Sequence, residues 1–252
     1  MHNAGTWSEV VVAGHVCDVF EPTTRNPNGY VIIYLHGVHQ GRLADHQPFV
    51  ELFEQSGFVV IGPRTARSWW TDKICREFDE NLTAQQYVIE HVMPFVREAY
   101  GTRPPQIALL GTSMGGQGAL RFAYKFPDLF PVVAAISPAI DYQKRLETPE
   151  EDDDPLFEMY LDPEAARQDT ALLHIHPLNW PRNQFFCCDP TDYRWFDSSD
   201  RLRMKLGSLG VPFECDLETS AGGHGFQYYN AMAERAMSYI LNSLNSERLR
   251  VV

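Results

Sequence analysis

Five short runs of unbroken apolar residues constrain the fold most: residues 31–35, 58–61, 107–110, 132–136 and 185–188. Each is too short for a helix and lacks the alternation of a half-exposed strand, so each predicts a strand buried on both faces. A further run at residues 213–217 is weaker. Helical periodicity fills the intervals, at residues 47–56, 83–100, 115–126, 199–209 and 230–244. Gly57, Pro127 and Gly210 stop three of these helices. Thr83-Ala84-Gln85-Gln86 opens another with a capping box, and Pro94 predicts an interruption or kink in it. Residues 10–12 and 15–20 flank Ala13-Gly14 as an opening antiparallel hairpin. The alternation predicts an α/β fold, a mostly parallel central sheet with helices on both faces and ligands gathered at the carboxyl ends of the strands. With 252 residues and neither repeat nor linker, one domain over residues 1–252 is expected.

Residues 141–181 break the rhythm. They carry the acidic run Glu150-Glu151-Asp152-Asp153-Asp154 and prolines at 155, 163, 177 and 181. The stretch is too long for a simple connection and reads either as a lid inserted over the site or as a solvated excursion. The acidic run lacks the alternating spacing and central glycine of a calcium loop, and reads as a solvated face.

Chemistry enters at Gly111-Thr112-Ser113-Met114-Gly115, a G-x-S-x-G with an apolar strand running in and a helical pattern running out. That is the setting of a nucleophile elbow, where a strained turn presents a serine at a helix N-terminus. The flanking glycines are needed because a Cβ there would strike neighbouring backbone. A serine nucleophile requires a base, and His174, His176 and His224 follow it in the chain. His174 and His176 sit within the irregular stretch, where packing or a lid role is expected. His224 lies in Ala221-Gly222-Gly223-His224-Gly225, a flexible loop that lets the imidazole reach back to Ser113. Two carboxylates, Asp189 and Asp192, compete to orient it from just beyond the strand at 185–188, with Asp197 and Asp200 farther along. Leu35-His36-Gly37-Val38 follows the strand at 31–35, so the Val38 and Met114 N–H groups are expected to form an oxyanion hole. His36 and His39 also have H-x-x-H spacing, but no third ligand lies at suitable spacing nearby, so no metal is called.

These segments resemble the α/β-hydrolases of the esterase D type, the group of S-formylglutathione hydrolases, feruloyl esterases and mycolyltransferases. The resemblance rests on Leu35-His36-Gly37, on Gly111-Thr112-Ser113-Met114-Gly115-Gly116-Gln117-Gly118-Ala119-Leu120, and on Gly222-Gly223-His224. Asp200-Arg201-Leu202, Lys205-Leu206 and Leu209-Gly210-Val211-Pro212 extend it, while residues 141–181 stand outside it. It implies a carboxylesterase-like serine hydrolase of carboxylic esters or thioesters, with a triad of Ser113, His224 and, three positions past a small residue after the strand, Asp192. Asp189 takes that small residue's place and is expected to cap the turn. No cofactor is implied. An acyltransferase or peptidase on the same triad, and a non-catalytic binding protein on the same scaffold, are the rival readings. His36 and Gly37 are expected beside the substrate. Trp69-Trp70, in a loop after the strand at 58–61, predicts at least one pocket-lining ring, against both serving as structural anchors.

Charge and composition narrow the partners. The 21 Lys+Arg against 33 Asp+Glu leave a net charge of −12, which argues against a nucleic acid or an anionic membrane surface and leaves a small-molecule ester. Whether the chain forms a homo-oligomer stays open. The N-terminus has neither the basic start nor the apolar run of a signal peptide, and no stretch reaches the ~18 apolar residues of a spanning helix. Five cysteines without C-x-x-C spacing, two of them (Cys187 and Cys188) in a strand, predict reduced thiols in a cytoplasmic protein.

Overall fold

A computed structural model describes residues 5–148 and 154–250. The chain opens with the hairpin β1 (Thr6–Val12) and β2 (His15–Glu21), followed by β3 (Val31–Leu35), α1 (Gln47–Ser56) and β4 (Val59–Pro63). Helix α2 (Ala84–Gln86) runs through a π-helical stretch, Tyr87–Val92, into α3 (Met93–Tyr100). Then come β5 (Ile107–Thr112), α4 (Met114–Lys125) and β6 (Val132–Ile136). Three short helices, α5 (Lys144–Glu147), α6 (Leu156–Met159) and α7 (Pro163–Gln168), lead to β7 (Asn183–Cys187), α8 (Phe196–Leu209), β8 (Glu214–Asp216) and α9 (Phe226–Arg248). The capping box forms, with Thr83 Oγ1 accepting the Gln86 N–H and Gln86 Oε1 accepting the Thr83 N–H. Pro94 does not break the helix. The widened π turn before it takes up the misfit of a residue that has no N–H to donate.

The eight strands order as β1-β2-β4-β3-β5-β6-β7-β8. Only the β1–β2 and β2–β4 pairs are antiparallel. Alternate residues of each inner strand point to opposite faces and split the core in two. Ile33, Leu35, Leu109, Val133 and Phe186 pack under α3, α4 and α8. Ile32, Tyr34, Leu110, Ala134 and Phe185 pack under α1 and α9. Burial on both faces is why these strands read as unbroken apolar runs rather than alternating ones.

The irregular stretch is tied to the body of the fold. Arg121, buried on α4, donates to Asp169 Oδ1 through Nε (2.9 Å) and Nη2 (2.6 Å) and to Gln85 Oε1 through Nη1 (2.9 Å). Tyr160 Oη and His174 Nε2 complete the shell of Asp169, so His174 has a structural partner outside the site. Residues 150–153 of the acidic run lie outside the described residues. Asp154, read from the sequence as part of a solvated face, is instead buried; it accepts the Arg145 Nε–H at 2.6 Å and the Leu156 N–H at 3.0 Å. All five cysteines are free. No helix among the described residues is long and apolar enough to cross a membrane.

Candidate active site

Register brings the site together. Leu35 pairs with Gly111, Thr112 with Ile136, Ile136 with Cys187, and Cys187 with Asp216. The carboxyl ends of β3, β5, β7 and β8 therefore finish at one level, and the loops that leave them are neighbours. These loops carry Gly37, Ser113, Asp192 and His224. At the β5–α4 turn Ser113 has φ 54° and ψ −119°, a strained conformation for a residue with a side chain. The turn is possible because Gly111 and Gly115 lack side chains: a Cβ on Gly115 would lie 1.8 Å from Leu35 O, and one on Gly111 would lie 2.0 Å from Gly115 O.

Ser113 Oγ donates to His224 Nε2 at 2.8 Å, and His224 Nδ1 donates to Asp192 Oδ2 at 2.6 Å. The second bond fixes the proton on Nδ1, leaving Nε2 as an acceptor facing the hydroxyl. Asp192 is buried and its other oxygen accepts the Trp195 N–H at 3.2 Å. Asp189 does not reach the imidazole. Its Oδ1 accepts from Thr191 N (2.8 Å), Thr191 Oγ1 (2.8 Å) and Ser220 Oγ (3.0 Å), and its Oδ2 from Ala221 N (2.6 Å) and Gly223 N (2.9 Å). These bonds hold the carboxyl well below the usual carboxylate range against the opposing effect of burial. The same bonds pin the loop that delivers His224.

Sequence reasoning missed Tyr229. On the first turn of α9, its Oη lies 3.0 Å from His224 Nε2. Burial raises its phenol well above the ordinary range, with a hydrogen bond to Ser113 opposing, so the hydroxyl stays protonated beside the serine. A tyrosine five residues after a candidate histidine carries no periodic signal. Only the helix geometry turns it inward.

Val38 and Met114, the expected oxyanion donors, follow the carboxyl ends of β3 and β5. Met114 is the first residue of α4, where the N–H has no carbonyl a turn earlier. Val38 lies in a tight turn closed by the Gln40 N–H to Gly37 O bond at 2.9 Å, and lines the pocket. Gly37 approaches Ser113 so closely that a Cβ on it would stand 3.2 Å from the serine Cβ. His36 is turned away from the pocket. Its Nδ1 donates to Gly37 O at 2.9 Å and its Nε2 accepts the Thr65 N–H at 3.1 Å, while its own carbonyl accepts the Trp70 indole N–H at 3.0 Å. His36 and Trp70 thus stiffen the loop at Gly37 from behind. Of the four residues expected beside the substrate, Gly37 and Trp69 line the cavity. Both tryptophans have positive φ, 53° and 55°, so the turn sends one ring to the wall and the other beneath it.

Burial lowers the His36 pKa from 6.5 to about 4. As pH falls, the unfolded chain takes up this proton first, so the contribution to stability is fully present above pH 6.5 and is lost towards pH 4. The expected loss over that window is about 3 kcal/mol. Urea unfolding at pH 7, 5 and 4 of the protein and of His36→Gln measures it. A native pH slope no steeper than the variant's contradicts a neutral His36.

The cavity over Ser113 has a volume of ≈ 290 Å³. Trp69, Trp195 and Phe226 form apolar walls, while Arg145 and Arg194 add charge. Neither arginine was singled out in the sequence.

Sheet order, helical layers and this constellation at the carboxyl edge define the α/β-hydrolase fold. Solved structures agree. FphF of Staphylococcus aureus, a fluorophosphonate-binding serine hydrolase solved with substrate bound, superposes with a TM-score of 0.74 at 16% identity, over 95% of this chain and 100% of that one. A ferulic acid esterase gives 0.74 at 14% identity over 95% and 98%. An S-formylglutathione hydrolase from Agrobacterium tumefaciens gives 0.71 at 15% over 97% and 97%. In sequence, the family model described as "Putative esterase" matches residues 21–204. The chain belongs to that esterase family, and is a carboxylesterase-like hydrolase. No curated relative matches it.

Proposed function

We propose that the protein hydrolyses carboxylic esters or thioesters through an acyl-enzyme formed on Ser113, with His224 as general base and acid and Asp192 as the carboxylate that orients it. The observation that carries this reading is the hydrogen-bonded chain Asp192–His224–Ser113, at 2.6 and 2.8 Å, on the floor of the pocket. Ser113 Oγ attacks the ester carbonyl carbon while its proton passes to His224 Nε2. Asp192 stabilises the imidazolium, and the Val38 and Met114 N–H groups stabilise the oxyanion, each worth about 3 kcal/mol. Collapse breaks the bond to the leaving alcohol or thiol, which takes the proton from His224. Water then attacks the acyl-enzyme by the same proton route, releasing the acid and restoring Ser113. The described residues of the stretch 154–181 serve as a cap fixed by Arg121 and Asp169, and five free thiols support a reducing, cytoplasmic setting.

Purified protein treated with a fluorophosphonate should lose esterase activity as one adduct forms per chain, on Ser113. An active, unlabelled protein, or an adduct elsewhere, contradicts the assignment.

Tyr229 has a part in the same reading. Its hydroxyl lies 3.0 Å from His224 Nε2 in the resting state and reaches the Ser113 oxygen as the acyl-enzyme forms and breaks down. Tyr229→Phe should lower kcat about tenfold with little change in KM, the expected size for one hydrogen bond at a developing charge. An unchanged or higher kcat would mean that the phenol only competes with Ser113 for His224.

A further inference from the structure

We propose that Cys188 is a positioning residue for the reaction: its thiol donates to Asp192 Oδ2 and holds that carboxylate in the orientation that serves His224. The proposal rests on the esterase reading above. Cys187 closes β7 and Cys188 follows it, and alternation sends their side chains to opposite layers of the core. The Cys188 N–H bonds to Asp216 O at 3.1 Å, so this residue stays tied to β8 while the chain turns at Asp189. The turn is closed by the Asp192 N–H to Asp189 O bond at 2.9 Å, which folds Asp192 back towards the cysteine. Cys188 Sγ then lies 3.6 Å from Asp192 Oδ2, the oxygen that also accepts the His224 Nδ1–H.

Electrostatics set the direction of this bond. Cys188 is fully buried, and burial and then the Asp192 charge raise its thiol well above the ordinary range. A neutral S–H that meets a carboxylate, which offers only acceptors, can only donate. Asp192 therefore has three donors: the Trp195 N–H on Oδ1, and the His224 Nδ1–H and Cys188 S–H on Oδ2. Trp195 precedes α8 and His224 sits in a loop, so the thiol is the donor that ties the carboxylate to the end of the sheet. It is also a weak donor. It draws little charge from the oxygen and leaves most of it for the imidazolium that forms as Ser113 attacks. A methyl group in its place would leave Oδ2 to the imidazole alone.

The test is the pH profile of kcat/KM for p-nitrophenyl acetate in Cys188→Ala and Cys188→Ser. Both variants lose the volume of the sulfur, and only serine keeps a donor. With one donor fewer, the Asp192 carboxylate holds the imidazolium more tightly, so in Cys188→Ala the acid limb should move up by about 0.5 pH unit. Its plateau kcat should fall about threefold with little change in KM, because the carboxylate is less well held. Cys188→Ser should leave the limb at or below its native position and restore most of kcat. Rates are counted per Ser113 that reacts with a fluorophosphonate, so a variant that folds only in part is still read. The other ionisable groups around the site are Tyr229 on α9, Asp189 beside the His224 loop, and His39, Arg145 and Arg194 on the pocket wall. They are the same in all three proteins and cancel in the comparison. A purely packing role would lower both variants alike and move neither limb. An alanine limb at the native position, or a serine limb that moves up with it, overturns the proposal. If the native protein turns over no ester and Ser113 takes no label, the esterase reading fails instead.

Discussion

Ser113→Ala is expected to lower kcat for p-nitrophenyl ester hydrolysis by about 10⁶-fold while leaving the melting temperature nearly unchanged. The activity loss follows from removing the only atom that accepts the acyl group. Stability is preserved because the Oγ hydrogen bond at the pocket floor goes to a His224 side chain that is itself 31% exposed. The backbone conformation does not relax either. Alanine keeps a Cβ, so the strain at φ 54° is retained. Ser113→Gly removes that strain and should be equally inactive yet more stable, by about 1 kcal/mol. Calorimetry and steady-state kinetics on the two variants separate strain from chemistry. Substantial turnover by Ser113→Ala, measured on protein free of native enzyme, would remove Ser113 from the nucleophile's role.

The elbow was legible in the sequence because its constraints are local. An apolar strand, two glycines that bring backbones within contact, and a helix all sit within about twenty consecutive residues. Helix α1 could be read from Gln47 to Ser56, since Gly57 takes the left-handed conformation that ends it. The hairpin and the inner strands were readable in place, though β1 begins at Thr6 rather than at residue 10. What escaped was set by tertiary placement. Arg145 and Arg194 come together only after β6 and β7 have paired and the irregular stretch has folded across α4. Tyr229 faces Ser113 through the pitch of α9, and Asp154 is buried by an arginine nine residues earlier. His36 and Trp70 lie beside motifs that face the pocket, yet their hydrogen bonds turn inward. Sequence proximity to a functional loop did not distinguish the wall from its support.

The two neighbouring aspartates should separate in opposite directions when each is replaced by asparagine. Asp192→Asn is expected to lower kcat by ~10⁴ with KM nearly unchanged. An amide at this position has one oxygen and one NH₂ where the carboxylate had two acceptors. With its oxygen on the Trp195 N–H, it offers NH₂ to His224 Nδ1, so the imidazole proton moves to Nε2 and the acceptor facing Ser113 is lost. Asp189→Asn has a different problem. Five donors converge on that carboxylate, and an NH₂ group must then face at least two of them in a fully buried site. The expected cost is about 2–4 kcal/mol of stability. The loop carrying His224 loses its anchors at Ala221 and Gly223, so a smaller fall in kcat should accompany it. The contrast between the variants, activity lost with a sound fold against stability lost with residual activity, is read by kinetics and urea unfolding side by side. The reverse pattern would transfer the orienting role to Asp189 and make Asp192 the structural residue.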